Sequence, residues 1–370
     1  MASGPGTNEH TAWQLFVASN CATSGGLTWT TWTEQSCWVN PASCPGGKPT
    51  GRHLHGSFLE LGRRKNAALL ATGPLPPCQG MTTKDTAPSP AAAQLVPSNL
   101  ANNPQFCEEV YVNPTESSFV TTPSSGNNLR TFTAQVAYAG SSAGEIQFPN
   151  LGIEIKADWL PADSVTPSFN CTDKAPSGVY TELIKDQNGQ EKCYALVGIH
   201  ISSKLLKNWL WATFEPQNSI TNPNRCNPKL YNSCNDPWGS NPAVSSGTDT
   251  AQTDDLKALM AAANLPAALS NYRLVAAQTA FADSNSTAIQ LGNSFVEFNA
   301  GVDVHHASCI TCHYYANVAT STPPNNNKMK AIAFAAAGPI GTPPPLPVLP
   351  SGQKWVSQDF SWMLGFMPVK

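Results

Sequence analysis

Charge is scarce in this chain. Asp, Glu, Lys and Arg make up 12% of 370 residues and the net charge is −3, against roughly a quarter charged in an ordinary soluble domain. So weak a basic complement argues against nucleic acid and against an anionic membrane surface as partners. Long apolar runs are missing as well. The longest, Ala331 to Ala337, stops at Gly338-Pro339, far short of the roughly 20 residues that a membrane helix needs. The opening Met1-Ala-Ser-Gly-Pro-Gly6 has neither a basic start nor an apolar core, so no leader is legible and the chain reads as a mature form. GxSxG and GxxxxGK[ST] are both absent, which removes the serine-hydrolase elbow and the phosphate loop. What replaces charge is Gly, Pro, Ser, Thr and Asn, with 32 prolines and 26 glycines, the composition of a loop-rich exported protein.

Cysteine is plentiful, at eleven. Nine lie outside the motif discussed next: Cys21, Cys37, Cys44, Cys78, Cys107, Cys171, Cys193, Cys226 and Cys234. A reducing cytosol gives so many thiols no role, whereas an oxidising compartment makes them up to four disulfides with one left over. Short loops predict Cys226 with Cys234, and Cys37 with Cys44. The expected location is periplasmic or extracellular.

Residues 308 to 313 read Ser-Cys-Ile-Thr-Cys-His. Cys309, Cys312 and His313 form a CxxCH, the attachment signature of one covalent haem c. Two thiols on one turn reach the two vinyl groups of a porphyrin, and the adjacent imidazole reaches the iron as proximal ligand. A disulfide beside a chance histidine, or half of a zinc site, is the rival reading; the neighbouring His305 and His306 give a spacing that matches no common zinc pattern. The sixth iron ligand then decides between electron transfer and ligand binding. His200, Met367 and Met363 compete for it. On the run Lys192 to Ile201, His200 shares a face with Tyr194, Leu196 and Gly198, and Gly198 offers room for a flat group. Tyr314 and Trp362 are expected in the haem pocket, wrapping a large apolar surface. His53 and His55, alternate in sequence, read as an exposed polar loop more readily than as a surface metal site.

The predicted fold class is α+β: a β-rich body with few short helices, a C-terminal haem-binding segment, many loops and disulfides. Three regions are legible, packed as one unit: a Trp-, Pro- and Gly-rich stretch at 1–104, a β-rich body at 105–300 and the haem segment at 301–370. A short helix is expected near 11 to 19. Strands are expected at Val110–Val112, Arg130–Tyr138, Leu151–Trp159, Val179–Lys185, Lys192–Ile201, Trp209–Phe214 and Tyr272–Phe281, with a helix near 253 to 263. Asn188-Gly189 marks a hairpin between the fourth and fifth of these strands. The proline-rich run from Gly341 to Pro350 is expected as an extended strap.

Several segments follow one another in a recognisable order: Trp13-Gln-Leu-Phe, Ile153-Glu-Ile-Lys-Ala-Asp-Trp159, Gly198-Ile-His-Ile201, Trp211-Ala-Thr-Phe-Glu215, Leu291-Gly-Asn-Ser294 with Glu297, and the CxxCH. Together they resemble bacterial cytochrome c family proteins of unknown function. That resemblance implies haem c and one integrated unit across about residues 11 to 362, and no particular activity; the segment from Cys226 to Cys234 and the cysteine-rich N-terminal third depart from it. Two readings follow from the residues. One is an exported monohaem cytochrome that passes electrons to a redox partner protein. The other is a haem-dependent redox enzyme, peroxidase- or oxygenase-like, or a haem-based sensor, whose β-rich body forms a pocket for a small-molecule substrate.

Overall fold

The computed structural model describes residues 6–39, 41, 44, 51–52, 54–57, 78–80, 100–101, 104–122, 128–141, 144–172, 177–186, 189–217, 234–244, 250–300, 302–320, 338–349 and 351–365. Helix α1 (Thr7–Asn20) comes first, with Trp13, Phe16, Val17 and Asn20 buried at spacings of three and four, the period that commits one helix face to a core. The hairpin β1 (Ala22–Thr23) and β2 (Gly26–Leu27), then β3 (Thr33–Glu34), α2 (Gln35–Val39) and β4 (Gln79–Gly80) complete the described N-terminal part. The body contains β5 (Gln105–Val112), α3 (Pro114–Thr121), α4 (Phe132–Ser141), β6 (Ile153–Pro161), β7 (Thr181–Lys185), β8 (Glu191–Ser203), β9 (Leu210–Pro216), β10 (Ser240–Asn241), β11 (Ala251–Gln252), α5 (Asp254–Ala261) and β12 (Tyr272–Gln278). The C-terminal part holds α6 (Val296–Asn299), α7 (Cys309–Tyr314), β13 (Asn317–Ala319), β14 (Trp355–Ser357) and α8 (Trp362–Gly365).

One antiparallel sheet organises the body, in the order β12-β9-β8-β6-β5-β3, with β4 beside β5 and β7 beside β8. The Asn-Gly hairpin between β7 and β8 forms as expected, with Leu183 opposite Cys193 and Gly189 at φ +76°. Successive side chains of a strand face opposite ways, so each strand divides into two sets. One set, including Tyr111, Ile155, Ala157, Ile199, Ile201, Ala212, Phe214 and Leu274, packs with Trp13 and Phe16 of α1 in a single apolar core.

The other set is polar. Register places Val110, Lys156, His200 and Thr213 in one row across β5, β6, β8 and β9, and Glu154, Ser202 and Trp211 in the next. In an antiparallel sheet such a face is ordinarily left to water, yet Glu108, Glu154, Asp158, Ser202 and Thr213 are all buried. The C-terminal segment covers them. Asn293 Nδ2 donates to Thr213 Oγ1 at 2.9 Å and to the Phe214 carbonyl at 3.0 Å, Ser361 Oγ donates to Glu154, and Lys204 pairs with Asp359.

Two expectations fail. Arg130–Tyr138 is helix, not strand: Phe132, Gln135 and Ala139 are buried at spacings of three and four, a helical period that outweighs the β-branched residues between them. Gln135 anchors that helix, donating from Nε2 to the Leu129 carbonyl at 2.9 Å and accepting from Gln358 at 2.7 Å. His55 is buried, not an exposed loop residue, because it forms a backbone bridge with Glu108 of β5; His53 lies outside the described residues. Among the described residues three disulfides are complete, Cys37–Cys44, Cys78–Cys107 and Cys171–Cys193, while Cys21, Cys309 and Cys312 are free thiols. Cys234 is disulfide-bonded; Cys226, its expected partner, lies outside the described residues. Residues 343 to 349 form neither helix nor strand, and Trp355 Nε1 donates to the Pro347 carbonyl at 2.7 Å, holding the proline run against β14.

Candidate functional site

The cleft between the polar sheet face and the C-terminal segment has about 790 Å³ of free space, counting the part that opens to solvent. The sheet contributes Glu108, Glu154, Lys156, His200, Ser202 and Trp211 to its walls, and the C-terminal segment contributes Cys309, Cys312, His313, Trp362 and Met363. Residues 309 to 314 form a short helix of fewer than two turns, so the two thiols, three positions apart, fall on one side of it with the imidazole next in line. Both thiols are unpaired in a protein whose other described cysteines, apart from Cys21, are disulfide-bonded.

His313 is fixed at one nitrogen. Its Nδ1 lies 2.7 Å from the Phe360 carbonyl, an acceptor, so Nδ1 carries the proton and Nε2 keeps its lone pair free for a ligand. The ring leans on Trp211, with centroids 4.4 Å apart. Burial, with a smaller contribution from His200, pulls the imidazole down to about 3, so it is neutral and able to coordinate. Burial pushes the Cys309 thiol well above its ordinary value and Cys312 up to about 12, with Glu297 adding to both. Both therefore remain thiols at neutral pH rather than spontaneous nucleophiles.

Across the cleft, His200 Nε2 stands 3.6 Å from Glu297 Oε2 and receives no hydrogen bond. Ligand atoms of His200, Glu297 and Cys309 lie within 4.8 Å of one another. The fold thus brings His200 to the CxxCH although 109 residues separate His200 from Cys309 in sequence. Glu297 is held in turn, accepting from the Asn293 backbone N–H. Lys156 is pulled down by burial, but Glu108, 2.7 Å away, and Asp158 more than offset that and keep it charged. Asp158 itself is raised well above the carboxylate range by burial.

Trp362 lines the cleft and donates from Nε1 to the Cys312 carbonyl at 3.3 Å. Tyr314 turns the other way, packing edge-on against Phe281 and Phe360. Met367 and the side chain of His305 lie outside the described residues, and His306 is exposed. The room at Gly198 is taken by protein: an added Cβ would stand 2.8 Å from both Asn293 Oδ1 and Val296 Cγ2. Sequence reading missed Glu108, Glu154 and Lys156 as site residues. Their alternation along β5 and β6 was the available signal, but it is also the pattern of a strand face turned to water.

No family model, curated protein or solved structure matches the chain.

Proposed function

We propose that this cleft holds one covalent haem c and that the protein is an exported electron-transfer cytochrome. The observation that carries the reading is the helical turn on which two unpaired thiols and His313 line one cleft, with Nδ1 of that histidine committed to the Phe360 carbonyl. Those residues fit the group: Cys309 and Cys312 would hold it through thioethers and His313 Nε2 would ligate its iron. Val110, Ile201, Trp211, Ala212, Trp362 and Met363 would cover its apolar faces. When bound, haem supplies a one-electron iron couple. Trp211 and the Phe360 carbonyl orient His313, and the second of these increases the basicity of its free nitrogen. His200, on the facing wall, is the candidate sixth ligand, with Met367 as the rival. An oxidising compartment accords with the three disulfides, and among the described residues no helix is long and apolar enough to cross a membrane.

A haem-dependent enzyme is the second reading, and the His200–Glu297 pair favours it. If His200 does not take the iron, its Nε2 is free to move a proton on a small molecule bound in the cleft. The test is an absorption spectrum of purified protein, alkaline pyridine haemochrome first and then the reduced form with and without carbon monoxide. A c-type haemochrome retained on the denatured polypeptide supports the haem reading, and its absence refutes it. Indifference to carbon monoxide supports a six-coordinate electron carrier, whereas a carbon monoxide spectrum moves the assignment to the enzyme or sensor.

A further inference from the structure

Glu154 has a partner behind the cleft wall that the electron-transfer reading does not use. Glu116, in the first turn of α3, is completely buried, and neither of its carboxylate oxygens receives a hydrogen bond from an N–H or hydroxyl. The group within reach is the carboxyl of Glu154 on β6. Two carboxylates are both acceptors, so this contact is a hydrogen bond only when a proton lies between them. Gly152 makes the space, since a Cβ there would stand 3.2 Å from Glu116 Oε2.

We propose that Glu116 and Glu154 form a proton-binding site that fills when an electron enters the cleft, so that reduction and proton uptake are coupled. The proposal rests on the haem reading above. One electron arrives from an external one-electron donor and lowers the charge at the cleft by one. One proton from bulk water then forms an O–H bond on the pair's remaining carboxylate and restores that charge.

The surroundings suit the role. Burial first, and then the repulsion of its partner, raises Glu116 well above the carboxylate range, and burial raises Glu154 too, so both shifts favour a proton held between the two carboxyls over a doubly ionised pair. Ser361 and Ser202 hold Glu154 by hydrogen bonds. From the C-terminal segment Asp359 also faces the pair and disfavours its ionised form. The neighbouring cations are engaged: Lys204 with Asp359, and Lys156, two residues along the same face of β6, with Glu108. Neither neutralises the pair directly. Glu154 lines the cleft, which opens to solvent, so the proton has a route in.

The test is the midpoint potential of the haem-loaded protein, measured by spectroelectrochemistry over about pH 5 to 9. If the reduced form binds an extra proton, the wild-type potential falls as pH rises. Glu154→Gln and Glu116→Gln should each flatten that slope, while Glu191→Gln, an exposed control at the start of β8, should keep it. A pH-independent wild-type potential, or an unchanged slope in both variants, overturns the proposal. Infrared spectroscopy of haem-free protein in heavy water provides a separate readout: the carboxylic-acid C=O absorption at neutral pH should contain a component that Glu116→Gln removes and Asp158→Asn leaves in place. Absence of that component from the wild type also overturns the proposal, without reference to haem. Failure of the pyridine haemochrome test instead marks failure of the haem reading.

Discussion

At the residue scale, the CxxCH declared itself in the sequence because it is local: three residues in one turn carry the whole signal. His200 was legible only as a candidate, since its meaning depends on Glu297 and Cys309, which the fold delivers from far along the chain. Gly198 was read as room for a flat group, but alternation reports which face a residue takes and not what covers it, and the cover is Asn293 and Val296. Gly198→Ala should therefore cost about 1–3 kcal/mol by overpacking, read as a lower urea midpoint; an unchanged midpoint would mean that α6 shifts freely. If His200 ligates iron, His200→Ala should convert a low-spin spectrum to high-spin and admit carbon monoxide, while Met367→Ala leaves it unchanged. The opposite result would assign the ligand to Met367.

At the scale of elements, strands with strong alternation were found where expected, and β7 pairs antiparallel with β8 as the Asn-Gly signal predicts. Helix α4 was misread because Thr131, Thr133 and Val136 suggest a strand locally, whereas the contacts of Gln135 with Leu364 and Gln358 are tertiary. The Cys37–Cys44 bridge was predicted from its short loop and is present. By loop closure it should stabilise the fold by about 2–3 kcal/mol, so Cys37→Ser with Cys44→Ser should lower the unfolding free energy by that amount in denaturant titrations. Cys78–Cys107 and Cys171–Cys193 close loops of 29 and 22 residues, and sequence alone does not specify such connectivity. Thiol counting on denatured, unreduced, haem-loaded protein should find about one free cysteine, which the structure assigns to Cys21. Three or more would mean that the motif thiols are not bonded to haem.

For the whole molecule, the unusual feature is a sheet whose second face is charged and yet covered. Glu116, Glu154 and Asp158 are all raised by burial. The unfolded chain releases these protons near the ordinary carboxylate values and the folded chain releases them only at higher pH, so in between the native state binds more protons and stability falls as pH rises. Above the ordinary imidazole range, where the lowered His313 no longer contributes a rise, the thermal midpoint should decline as pH increases, and Glu116→Gln should make the decline shallower and raise the midpoint at neutral pH. A decline as steep as in the wild type would remove Glu116 as a source of the effect. The same cover bears on how the protein is made. Cys312 and His313 are tied down by Trp362 and Phe360, residues that leave the ribosome nearly fifty positions after the motif. Until those last residues arrive and dock, the turn bearing the two thiols lacks its final clasp. If the cleft takes haem as proposed, the group would have to enter before Phe360 and Trp362 close that clasp, so order of docking and not affinity alone would decide whether a chain is filled.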